Sequence, residues 1–167
     1  MIETTKKPTP RRARYATIEG GRKATPGSET AGVFWGYTQT HDQRTEAQRL
    51  AQIRDGLSAK LYLEVKRLFG LPEKQVAELF NASISTLERR VRDNQPLDAV
   101  ASERLDRIAE ITHQAVAVFE SEEQAVAWMS QPNDALGVMT PVMLCQTEIG
   151  ARQVRRVLAA LEWGGVV

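Results

Sequence analysis

The chain is poor in the residues from which catalytic and metal centres are built. Its 167 residues include one cysteine, Cys145, and two histidines, His41 and His113. A lone thiol cannot staple a fold, which points to a reducing compartment, the cytoplasm. One Cys and two His fall short of the usual zinc ligand count, so neither a metal nor a cofactor is expected. Cys145 stands beside Val142, Met143 and Leu144 and reads as a small core residue rather than a nucleophile. His113 falls on a helical stretch and reads as a surface or packed residue. No Walker loop and no Gly-x-Gly-x-x-Gly is present; Gly32 and Gly36 bracket Val33, Phe34 and Trp35 without a phosphate-loop pattern. Carboxylates are many, but none forms an evident catalytic pair, and no enzyme is expected. The longest mostly apolar run, residues 136–145, is interrupted by Thr140 and Pro141 and is far short of the roughly 20 residues of a membrane span. The N-terminus is basic but lacks the apolar stretch of a secretory signal. A net charge of +1 excludes a global basic field, so any nucleic-acid contact must come from a local patch. Strand signals are missing too: no long apolar–polar alternation and no Asn-Gly or Asp-Gly hairpin. The folded part is read as all-α.

Residues 1–40 are read as a disordered or weakly ordered basic arm. Lys6, Lys7, Arg11, Arg12, Arg14, Arg22 and Lys23 oppose Glu3, Glu19 and Glu29 there, in a setting rich in Pro and Gly. The arm is either a solvated tail or a segment that touches DNA phosphates. Within it, residues 33–37 form an aromatic island that should bury against something. Residues 42–55 suit a helix with Ala47, Leu50 and Ile53 on its apolar face and Gly56 at its end. Leu61, Val65, Leu68 and Phe69 mark a second helix, stopped by Gly70, and Pro72 opens the next.

Residues 76–91 fit a helix-turn-helix. Ala77 is small where the helices cross, Asn81 tolerates the left-handed turn conformation, and Ser83 can cap the second helix. Val76, Phe80, Ala82, Leu87 and Val91 supply the apolar faces. Ser83, Ser85, Thr86, Arg89, Arg90 and Arg92 remain at or near the outside. That is the composition a recognition helix needs, with hydroxyls for phosphates or bases and Arg for guanine or phosphate. An ordinary helical hairpin with a solvated Arg face is the alternative.

Asp98 can cap a long helix with Ala101, Leu105, Ile108, Thr112, Ala115 and Phe119 on one face. Glu103, Arg104, Asp106, Arg107 and Glu110 mark the other, read as solvated. The apolar face exceeds what one small hairpin can cover, so a homodimer is expected. Ser121 to Gln124 reads as a capping box, with Trp128 and Met129 on the inner face of its helix and Pro132 at its end. Asn133 stabilises a turn, Thr140-Pro141 opens a helix, and Thr147 caps the last one. Gly150 there allows close approach of a neighbour, and Trp163 and Gly164 end it.

From about Ile53 onward the chain resembles the Xre/MbcA/ParS antitoxin family. The residues that carry the resemblance are Ile53-Arg54-Asp55-Gly56-Leu57, Thr86-Leu87-x-Arg89-Arg90, Ser102-x-Arg104-Leu105-x-Arg107 and Phe119. They continue with Ala125-x-x-Trp128, Pro132-Asn133-x-x-Leu136-Gly137, Thr140-Pro141, Thr147-x-x-Gly150, and Val154 with Gly164. Two positions depart: Val138 stands where a second Gly is common, and Ala101 where a Glu often precedes Ser102. The resemblance implies a helix-turn-helix domain, residues 41–118, and a toxin-binding domain, residues 119–167. It implies a type II antitoxin that dimerises, blocks the NAD cleft of a cognate RES-domain toxin and represses its own operon by binding operator DNA. Arg152, Arg155, Arg156, Trp163, Gly164, Gly165, Val166 and Val167 are the expected toxin-binding residues. The residues after Trp163 form an apolar segment suited to a cleft; the competing reading packs Trp163 on the domain's own core. A stand-alone helix-turn-helix regulator, whose C-terminal unit serves dimerisation, is the alternative function.

Overall fold

A computed structural model describes residues 31–164; the predicted arm up to residue 30 and residues Gly165 to Val167 lie outside them. Among the described residues every regular element is helical. In chain order they are α1 (Ala31–Gln39), α2 (Glu46–Asp55), α3 (Lys60–Leu68), α4 (Glu73–Phe80), α5 (Ile84–Arg92), α6 (Ala99–Phe119) and α7 (Glu122–Ser130). A 3₁₀ turn (Asp134–Leu136), α8 (Pro141–Leu144) and α9 (Glu148–Glu162) complete the fold.

Local chemistry sets most of the helix ends. Side-chain oxygens of Thr45, Ser83, Asp98, Ser121 and Thr147 accept from backbone N–H groups three residues on, satisfying donors that a helix start leaves open. At Thr45 the cap is reciprocal, because Gln48 also accepts from the Thr45 N–H. That fixes the start of α2 at Glu46, four residues later than the apolar pattern indicated. Asn81 ends α4 at φ 52°, ψ 42°, the left-handed conformation expected of it. Pro72 sits in extended conformation just before α4, at the cap position rather than in the first turn.

The central helix, α6, organises the rest: α1, α2 and α4 pack on it, as do α7 and α9. Its expected inner face is inside, with Leu105, Ile108, Thr112 and Ala115 fully buried. Each large apolar side chain there is worth about 1.5–3 kcal/mol on burial. Of its expected outer face only Glu103 is exposed. Asp106 is 2% exposed and Arg107 7%, because α1 and α2 cover one side and α8 and α9 the other.

Two further expectations are corrected. The arm expected over residues 1–40 is a folded helix from Ala31 on, where Phe34 is fully buried. Phe34 packs edge-on against Phe69 at 6.3 Å, and its N–H donates to the Glu64 carboxylate at 2.6 Å. The aromatic island is therefore an N-terminal addition to the core. The apolar face assigned to α2 is largely outside too: Ala47 is exposed, Leu50 is 55% exposed and Ile53 is only half-buried, so α2 buries no residue fully. A half-buried Arg holds it to α6 instead.

Candidate functional site

Polar side chains fasten the helices to α6. Asp106 accepts from Tyr37 Oη at 2.7 Å and from Arg49 Nε and Nη2 at 3.0 and 2.6 Å. Burial raises the Asp106 pKa, but His41 Nε2 at 3.7 Å, the hydrogen bonds from Arg49 and Tyr37 and the Arg49 charge hold it well below the usual carboxylate range. Burial, with Asp106 beside it, pushes the Tyr37 phenol far up. Glu110, one turn further, pairs with Arg49 at 3.0 Å and with Arg155 of α9 at 3.1 Å. Arg155 also reaches Glu148 at 2.8 Å, and Arg107 contacts Glu148, Glu103 and the Cys145 carbonyl. One chain of ion pairs thus runs from α2 across α6 to α9.

The Ser102, Arg104 and Arg107 positions explain themselves in this frame. Ser102 Oγ accepts from the Leu57 N–H at 2.9 Å and donates to the Leu97 carbonyl. Arg104 donates to the Glu78 and Leu79 carbonyls at the end of α4, where a cation meets the negative end of the helix. By sequence pattern alone Arg104 and Arg107 belong to a solvated face. The pattern shows charge, not which neighbouring helix will cover it.

Two surfaces project from this frame. On α5, Leu87 is fully buried and Val91 packs on the core, while Ser85, Arg89 and Arg92 lie outside. Offsets of four and seven place those three on one helical stripe. Arg92 forms an exposed pair with Asp93 at 3.3 Å, of a kind worth little. The other expected DNA-contacting residues are partly engaged at home. Ser83 caps α5 and bonds the hydroxyls of Ser85 and Thr86. Arg90 is half-buried and donates to the Pro96 carbonyl at 2.6 Å. A cleft of about 300 Å³ beside it is lined by Lys60, Arg90 and Asn94 among others, without a carboxylate or imidazole.

The second surface is on α9. Arg152 and Arg156 are exposed, but Arg155 faces inward to Glu110 and Glu148. Trp163 is 88% exposed, so it does not pack on the domain's own core. Gly164 follows at φ 74°. Gly150 meets α8 so closely that a Cβ there would stand 2.2 Å from the Leu144 carbonyl oxygen, the close approach expected of it. Burial pushes the Cys145 thiol up to about 12, which keeps it protonated and inert. Among the described residues no cluster of His, Cys, Asp and Glu is placed to hold a metal. No described helix is long and apolar enough to cross a membrane.

A helix-turn-helix whose outer stripe carries two arginines, fused through one helix to a small helical unit with an exposed Trp, defines a class of binding protein. Comparison with known proteins gives the class a family. Residues 48–110 match the antitoxin Xre-like helix-turn-helix domain, and residues 114–164 match the antitoxin Xre/MbcA/ParS C-terminal toxin-binding domain. The chain belongs to the Xre/MbcA/ParS antitoxin family. An Antitoxin Xre of Pseudomonas putida is 36% identical over 81 residues, 48% of this chain and 51% of the relative; the chain therefore spans about half the length of that relative. A Sphingobium protein named Prs ADP-ribosylating antitoxin is 27% identical, over 70% of this chain and 79% of its own. An Antitoxin Xre of Photorhabdus laumondii is 24% identical, over 68% and 78%. The α1 helix lies outside both family matches.

Proposed function

We propose that this protein is the antitoxin of a type II pair. It binds and neutralises a RES-domain toxin that consumes NAD and, as a cytoplasmic homodimer, represses its own operon. The observation that carries the reading is the presence on one chain of both antitoxin domains, in order. The name of the Sphingobium relative, which joins antitoxin with ADP-ribosylation, supports a partner that uses NAD. In this reading the C-terminal unit occludes the toxin's cleft through Trp163 and the residues after it, including Gly164, Gly165, Val166 and Val167. Such a segment contributes shape and apolar contact and no reacting group.

DNA binding rests in the same reading on the α5 stripe. Ser85, Arg89 and Arg92 enter the major groove, and the Ser83 cap orients the start of the helix. Arg90 acts through the loop it holds. Arg89→Ala with Arg92→Ala should flatten the salt dependence of promoter binding by a slope of about 2 if both contact phosphate. Unchanged binding would remove α5 from the interface.

The deciding experiment is co-expression with the product of the adjacent reading frame. Co-purification and rescue of growth are the results expected. A chain that binds its promoter but neither retains nor neutralises that product would instead be a stand-alone regulator.

A further inference from the structure

The family match locates toxin binding in residues 114–164 but not on a face of them. The proposal below rests on the antitoxin reading and narrows it to one surface. Within α9, Val154, Val157 and Leu158 are buried, as are Gly150 and Ala151. The residues left outside are Glu148, Ile149, Arg152, Gln153, Arg156, Ala159 and Glu162, followed by Trp163. Ile149, Arg156 and Trp163 recur at intervals of seven, with Arg152 three residues into the first interval, so at about 100° per residue they fall on one stripe.

That stripe is unusual in two respects. It holds the two most exposed large apolar side chains among the described residues, Ile149 at 70% and Trp163 at 88%, one at each end of the helix. Between them stand two arginines and no acid. The nearby acid, Glu148, is bonded to Arg155 and Arg107; it also feels the Arg152 charge but makes no ion pair with it, and among the described residues Arg156 has no acid beside it. Ordinary exposed helix faces mix both signs of charge and seldom carry Trp and Ile. Aromatic and Arg residues are what interface centres are enriched in.

We infer that the Ile149–Arg152–Arg156–Trp163 stripe of α9 is the docking face for the toxin, and that the facing toxin surface is apolar with carboxylates opposite the two arginines. Charge complementarity selects that partner: two guanidinium groups that make no ion pair of their own, flanked by apolar ends, exclude a basic surface and have no match in a purely apolar one. Ile149, absent from any chemistry-based list of binding residues, becomes an anchor. Arg155 belongs to the scaffold and not to the interface.

The test uses the full chain and the product of the adjacent reading frame as probe, with affinity read by titration at two salt concentrations. Four proteins are compared: the parent, Ile149→Ala with Trp163→Ala, Arg152→Glu with Arg156→Glu, and Arg89→Ala with Arg92→Ala. All substituted positions are exposed, and the circular dichroism melting curve of each confirms that it folds. The apolar pair should weaken binding by at least about tenfold. The charge reversals should weaken it at low salt and lose part of that effect at high salt. The α5 variant should bind as the parent does. If the parent binds and both α9 variants bind equally well, the stripe is not the docking face, while the antitoxin reading stands. If the charge reversals strengthen binding, the facing surface is basic and its assigned chemistry is wrong. If the parent itself fails to bind, the antitoxin reading fails and the docking face with it.

Discussion

Replacing Asp106 with Ala is the most informative single perturbation of this scaffold. Asp106 is 2% exposed and accepts three hydrogen bonds, one from Tyr37 and two from Arg49. Its removal strands the Tyr37 hydroxyl and takes from Arg49 its shortest ionic contact. Breaking a buried pair by deleting one partner costs about 3–5 kcal/mol. Arg49 is 25% exposed and keeps Glu110, which places the expected loss at the low end, about 3 kcal/mol. Tyr37→Phe removes one bond and should cost about 1 kcal/mol. Urea unfolding followed by circular dichroism measures both. The pH dependence supplies an independent check. A carboxyl whose folded pKa is depressed gives stability that is full above its unfolded value, about 3.9, and is lost as pH falls toward the folded value. The gap between the parent and Asp106→Ala should therefore narrow in acid, approaching about 1.4 kcal/mol per pH unit below pH 4. A loss under about 1 kcal/mol at pH 7, or a gap that does not close in acid, would refute the argument.

Val138→Gly should stabilise the protein by about 0.5–1 kcal/mol, read as a higher urea midpoint. Val138 sits at φ 64° and is 66% exposed, so relief of left-handed strain of about 1–2 kcal/mol outweighs the extra freedom of glycine in the unfolded chain. Gly150→Ala should cost about 2–3 kcal/mol, because the neighbour its Cβ would meet at 2.2 Å is the Leu144 backbone oxygen rather than a side chain free to turn. Asn81→Ala should cost about 1 kcal/mol and Asn81→Gly far less, since φ at this turn is 52° and only the alanine is strained there; equal losses in the two melting curves would show that the Asn side chain, not its backbone, matters.

The parts of this fold that could be read from the sequence were those decided locally. Ser83, Asp98, Ser121 and Thr147 cap the helices they were expected to cap, because a cap depends on three or four successive residues. Asn81 and Gly150 were legible because each answers to one steric condition. Val138 was noticed only as a departure from a family pattern, and the structure supplies its physical meaning in the positive φ. What stayed hidden depended on distant segments. Nothing in the row of charges along α6 distinguishes a solvated face from one covered by α1, α2 and α9; partners 45 to 69 residues away decide it. For the same reason the sequence shows neither the exposure of Leu50 nor the inward pairing of Arg155 with Glu110 and Glu148. Ile149 escaped notice because exposure cannot be read from an isolated apolar residue at a helix start.

The two family units meet inside α6, which begins in one and ends in the other. No linker separates them. A continuous helix of 21 residues, about 30 Å long at 1.5 Å per residue, joins the α5 stripe to the α9 stripe as a single rigid bar. Cutting the chain at the boundary would split one core, leaving half of α6 bare on each fragment, so neither unit is expected to fold when made alone. A partner seated on α9 is held at a fixed bearing to whatever α5 touches. The two surfaces are therefore the ends of one body, with their spacing built into the helix.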